Sequence, residues 1–197
     1  MPRNIDPEIQ RLAAVTENIG VAMLVTRTRE GQLVSRPVHQ AGFDGALWFF
    51  TSAASHKAAE IRAHPQVNVA YADVSGNTFV SISGTARVRR ERSRIESMWR
   101  EPMRAFFPGG KDDPDVTLVR VQIDSAEYWD GPGMLAGRAL RFLLATATQE
   151  PDLLGENRTL QIDPSGRRAA VIHGNTRGDA ARAQPKLATV AAKRKRT

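Results

Sequence analysis

The sequence predicts a mainly β fold of the α+β class, in which six to seven short antiparallel strands close into a small barrel with helices on its flanks. Three observations carry that expectation. Runs rich in Val, Ile, Thr and aromatic residues succeed one another from Val21 to Asp130, glycine-bearing turns separate several of them, and the connections are too short for parallel crossovers.

The elements follow in order. Asp6-Pro7-Glu8 reads as an N-cap, a proline in the first turn and an early acidic residue; Ile9, Leu12, Ala13 and Ile19 recur near helical spacing, and Gly20 supplies the stop. VAMLVTRT, LVSRPVHQA and ALWFFT then form three strands, joined by a turn at Gly31 and another at Phe43-Asp44-Gly45. A short helix is expected near residues 55 to 63, with serines as caps and Pro65 as terminator. QVNVAYADV and TFVSISGTARVRR are strands about a Ser75-Gly76-Asn77 turn, with Gly84 marking a bulge or a close backbone approach. ERSRIESMWR is helical, with Ile95, Met98 and Trp99 on one side, and it runs into the loop EPMRAFFPGGKDDPD. VTLVRVQID and AEYWD are read as two further strands. MLAGRALRFLLATATQ looks helical, the segment from Gly155 to Asn175 has room for one hairpin, and residues 176–197 are small, polar and basic, the composition of a disordered tail.

A chain of 197 residues with 41% apolar residues has enough material for a sizeable core. It contains no cysteine, so disulfides, thiolate metal sites and cysteine nucleophiles are excluded. No stretch approaches the ~18 uninterrupted apolar residues of a spanning helix, and Asp6, Glu8 and Glu17 do not suit a signal peptide. The expectation is a cytoplasmic protein without a membrane partner. The net charge of +7 suggests nucleic acid until it is divided: residues 1–154 hold 18 basic and 18 acidic side chains, and residues 155–197 hold 10 and 3. The whole excess is in the tail. Its terminal KRKR offers nonspecific attraction to anions, and the body lacks a recognisable reading helix or RNA-binding aromatic motif, so no specific nucleic-acid partner is expected.

GPGMLA at Gly131 to Ala136 matches a dinucleotide fingerprint but lacks the parallel strands it requires. His39, His56, His64 and His173 show no metal-ligand spacing, and no G-x-S-x-G elbow is present. Trp48, Trp99 and Trp129 read as core or interface residues, and Phe106 to Gly110 either anchors a loop or lines a cleft. More informative are Ser35-Arg36-Pro37 and the run from Trp48 to Lys57. Lys57 lies in the first turn of a helix, the wrong end for a cation. It is either solvated or facing an anion. In the second case the parts fit a phosphate, with a Ser55 hydroxyl, helix N-terminal amides, and the charges of Lys57 and Arg36.

The segments SRPV, LWFFTSAASHKAAEI, Met98-Trp99, FFPGGKDDP and AEYWDGP, in this order, resemble the general stress protein branch of the pyridoxamine 5'-phosphate oxidase-like, flavin-binding split-barrel superfamily. The resemblance spans about residues 6 to 132. It implies a split β-barrel over residues 1–132; the helix and possible hairpin extension over 133–175 and the basic tail over 176–197 lie beyond it. It also implies a homodimer with FMN at the subunit interface and FAD as an alternative occupant. Arg36 and Lys57 would hold the flavin phosphate. Pro37 would belong to the cofactor site, Val38 and His39 would lie beside the ring through backbone contacts, and Phe50, Thr51, Ser55 and His56 along the ribityl-phosphate tail. The partner subunit would contribute from the segment carrying Trp99 and Phe107. The implied function is that of a general-stress flavoprotein, an oxidoreductase of unknown substrate; the alternatives are a noncatalytic flavin-binding stress factor or sensor, and a deazaflavin-dependent reductase. Two features of true pyridoxamine phosphate oxidases are missing: a glutamine ahead of G-x-A, where FVSISG begins with Phe79, and a C-terminal arginine-histidine motif. Oxidation of vitamin B6 is therefore not expected.

Overall fold

Asp6 caps the first helix: its carboxylate accepts a hydrogen bond from the Glu8 amide at 2.9 Å, Pro7 opens the first turn, and Gly20, at φ 73°, ends it. In the computed structural model, which describes residues 6–130 and 156–173, this is α1 (Pro7–Ile19). The strands are β1 (Val21–Arg27), β2 (Leu33–Phe43), β3 (Ala46–Ser52), β4 (Gln66–Asp73), β5 (Thr78–Arg89), β6 (Val116–Asp130), β7 (Glu156–Ile162) and β8 (Ala169–His173). Two more helices, α2 (His56–Ala63) and α3 (Arg92–Met98), and a 3-10 turn at Glu101–Ala105 interrupt them. No helix among the described residues is long and apolar enough to cross a membrane.

All pairings are antiparallel, in the order β3-β2-β1-β4-β5-β6-β7-β8, and β3 also pairs with β6. The first six strands therefore close into a barrel. Closure depends on the length of β6: Val116–Gln122 lie opposite β3, and Ser125–Asp130 lie opposite β7. The sequence reading divided this segment into two strands. The structure corrects it to one, because Gly84 faces Ile123 and Ser83 faces Ser125, which leaves Asp124 as the extra residue of a bulge rather than a turn. Gly84 is needed there. A Cβ at that position would clash with the carbonyl oxygen of Gln122.

Leu24, Val38, Leu47, Phe49, Val69, Ile82, Val121 and Ile123 fill the barrel, and α1 and α2 add Ile9, Leu12 and Ile61. Each such side chain stabilises the fold by ~1.5 to 3 kcal/mol through burial. The alternate residues of β3 point the other way, so Trp48 and Phe50 join Ile95, Trp99, Val116 and Leu118 in a second cluster outside the barrel. Both faces of β3 are thereby covered, which explains its unbroken apolar run. Arg94 of α3 stacks over Trp48 at 4.1 Å and pairs with Asp44, whose carboxylate also accepts from the Trp48 indole at 2.7 Å.

The hairpin of β7 and β8 extends the sheet past the barrel. It is tied to the start of α1: Glu8 accepts from Tyr128 at 2.9 Å and from Arg158 at 3.1 Å, and the Asp6 amide donates to the Arg167 carbonyl. The helix expected after Gly133 and the basic tail lie outside the described residues.

Candidate functional site

Successive residues of β2 point to opposite faces, and Val38, two residues from Arg36, is buried in the barrel. Arg36 therefore shares the inward row, whereas Pro37 and His39 lie on the exposed outer one. Arg36 does not reach bulk water freely: its side chain is 28% exposed, and it meets Glu60 of α2 end-on. Nη1 donates to Glu60 Oε2 at 2.7 Å and to Thr26 Oγ1 at 2.9 Å, Nη2 donates to Glu60 Oε1 at 2.9 Å, and the Thr26 hydroxyl donates to Glu60 at 2.6 Å. The hydrogen bond from Arg36 holds the Glu60 carboxyl below its ordinary range against the opposing effect of burial, and Thr26 adds to the lowering. Neither Glu60 nor Thr26 was picked out from the sequence.

One turn earlier on α2, Lys57 is half-buried, and no hydrogen bond or ion pair engages its ammonium among the described residues. Burial pushes its pKa below the usual lysine value, and the positive charge of Arg36 pushes it the same way. The two cations are therefore close enough to feel one another. A half-buried cation in the first turn of a helix, beside a second cation and without a counter-ion, suits an anion.

Ser55 caps α2. Its hydroxyl donates to the Ser52 carbonyl at 2.7 Å, accepts from the Ala58 amide at 3.3 Å, and lies 3.0 Å from the Thr51 hydroxyl. The Ser55 side chain, expected on the phosphate, is thus committed to the helix start, and Thr51 is buried beneath it. His56 is exposed, and it shares with Glu60 and the β1–β2 turn a cleft of about 500 Å³. The other expected residues gather elsewhere. Phe50 packs edge-on against Trp99 at 5.7 Å and near Phe107 at 6.3 Å, all within one subunit. His39 lies 5.9 Å from the exposed Phe106, a contact the sequence reading did not anticipate. The Trp99 indole N–H is buried without a hydrogen-bond partner among the described residues. The structure thus holds two groups of expected residues: a charged one at α2, and an aromatic one against the outer face of β3. The inward and outward rows of β2 link them.

The first six strands thus form a closed antiparallel barrel, with Arg36 of β2 and Lys57 of α2 brought close to one another beside it. Comparison with known proteins assigns the family. Residues 7–152 match the family described as pyridoxamine 5'-phosphate oxidase like, and the chain belongs to that family. It is similar to the protein bli-3 of Neurospora crassa, at 23% identity over 79% of this chain and 80% of that protein. Among solved structures, a general stress protein 26 from Jannaschia sp. CCS1 has a TM-score of 0.61 and 26% identity over 78% of this chain and 95% of its own. The general stress FMN/FAD binding protein of Xanthomonas citri has a TM-score of 0.57 and 26% identity over 66% of this chain and 94% of its own.

Proposed function

We propose that the protein is a flavin-binding member of its family, of the general stress type, that takes FMN with its phosphate at the start of α2. The observation that carries this reading is Lys57: half-buried, short of a counter-ion among the described residues, and beside Arg36. Lys57 would supply a point charge to the phosphate, Arg36 a directional contact, and the first amides of α2 the remaining donors. Pro37, Val38 and His39 continue along β2 for about 10 Å, at ~3.3 Å per residue, toward the aromatic group of Phe50, Trp99 and Phe107. A bound flavin supplies redox chemistry from its own ring. The chain's part is to hold the phosphate, orient the ring against β2 and shield it from water.

The same reading includes a homodimer. Five of the large apolar side chains that stay exposed, Val21, Met23, Leu33, Trp129 and Ile172, lie on the outward rows of the sheet. Register places Met23 in line with Pro37, Ala70, Ser81, Glu127, Thr159 and Ile172, with Phe79 beside Trp129 in a neighbouring row. A second copy would cover this face and bring its own aromatic loop toward the first copy's β2.

The test is direct. The purified protein is denatured in acid, and the released ligand is identified by visible spectrum and mass, alongside titration of ligand-free protein with FMN. Bound or titratable FMN supports the reading. Absence of flavin together with no FMN binding contradicts it.

A further inference from the structure

Arginine carries five N–H donors arranged as an end-on fork of Nη1 and Nη2, a side-on fork of Nε and Nη2, and one outlying Nη1 hydrogen. In Arg36 the end-on fork is filled by the two oxygens of Glu60, and the outlying hydrogen goes to Thr26. Among the described residues the side-on fork has no partner. It is the part of the guanidinium suited to a second planar or tetrahedral oxyanion, and the Arg36 side chain is not fully buried, at 28% exposure.

We propose that Glu60 is a positioning residue: by occupying the end-on fork of Arg36, together with Thr26, it fixes the guanidinium so that the side-on Nε/Nη2 fork stays open to the phosphate that Lys57 also faces. This rests on the phosphate reading above and adds a residue that contacts no ligand atom itself. The geometry favours positioning over simple neutralisation. Glu60 is held by both Arg36 and Thr26, from two different strands, and its side chain is only 12% exposed. A carboxylate serving merely to balance charge would not need both of its oxygens aligned with one guanidinium. A held arginine also loses less rotamer freedom when the anion arrives.

The two roles predict opposite signs. Removing a carboxylate beside a phosphate, with nothing else changed, strengthens phosphate binding. Releasing the arginine weakens it. The experiment measures FMN and riboflavin dissociation constants by flavin fluorescence for the parent, Glu60→Ala and Glu60→Gln, and again in an Arg36→Ala background. Positioning predicts that Glu60→Ala weakens FMN by about fivefold or more while riboflavin stays within about twofold, and that glutamine, which keeps one acceptor, recovers part of the loss. In the Arg36→Ala background the Glu60 substitutions no longer lower the preference for FMN over riboflavin, because the group they position is gone. If Glu60→Ala does not fold, Glu60→Gln carries the same sign test at nearly constant shape. An unchanged or increased preference for FMN in the Glu60 variants overturns the proposal. A parent protein that binds FMN and riboflavin equally well overturns the phosphate reading itself, and this proposal with it.

Discussion

The interior of the barrel and its rim beneath α2 are built from the same strands by opposite rules. In β1, Ala22 and Leu24 enter an apolar core in which every large side chain is in contact with others of its kind. Two residues further on, Thr26 faces Arg36 and Glu60, and beside them Lys57 has no counter-ion among the described residues. The first region maximises burial of apolar area. The second spends some of that burial on charge. An internal row that changes from aliphatic to ionic within one strand marks where stability stops being the only demand on the sequence.

This contrast can be broken in stages. The largest effect belongs to the interior: Leu24→Ala, at a position 1% exposed, should cost ~2 to 5 kcal/mol of stability in chemical denaturation. Lys57→Ala should cost much less than that. Comparable losses at the two sites would contradict the division.

A smaller effect, with a pH signature, belongs to the ion pair. The folded pKa of Glu60 lies below its ordinary 4.5, so its stabilisation is complete above that value and is lost as pH falls through the folded pKa. Glu60→Gln should therefore destabilise the protein at pH 7 by about 1 to 2 kcal/mol, and the gap to the parent should close toward pH 3. A gap constant from pH 7 to 3 would show that ionisation of Glu60 contributes nothing.

The smallest effect has the opposite sign. The Lys57 pKa is lowered in the folded state, so the charged lysine works against folding at neutral pH, and that penalty fades as pH rises through the folded pKa. Lys57→Met should raise the melting temperature of the ligand-free protein by about 1 to 4 °C at pH 7, with the gain shrinking at alkaline pH. A lowered melting temperature would mean that the ammonium has a stabilising partner after all.

How far the sequence discloses these two regions follows from the physics of each. The barrel is legible because burial leaves a periodic trace, and caps such as Asp6, Ser55 and Gly20 need particular residue types at particular places. The length of β6 is not legible. Asp124-Ser125 has the composition of a turn, and only pairing with Ser83 and Gly84 shows that the chain continues through a bulge. Lys57 is visible as a cation at the wrong end of a helix. Glu60 is hidden because HKAAEIR reads as an ordinary solvated helix. A clue was available: Arg36 alternates with Val34 and Val38, which places a charge in an inward row and demands a counter-charge. Which carboxylate answers it depends on how α2 lies across the strands, and local spacing carries no record of that packing.

Whether Arg36 and Lys57 recognise a phosphate is measured most directly by comparing FMN with riboflavin on the parent protein and on Arg36→Ala/Lys57→Ala. The parent should prefer FMN, and the double substitution should remove that preference by weakening FMN alone, at ~1.5 to 3 kcal/mol for each charge-assisted contact. Equal weakening of both flavins, or no weakening of either, would show that the two cations hold something other than the phosphate of a flavin.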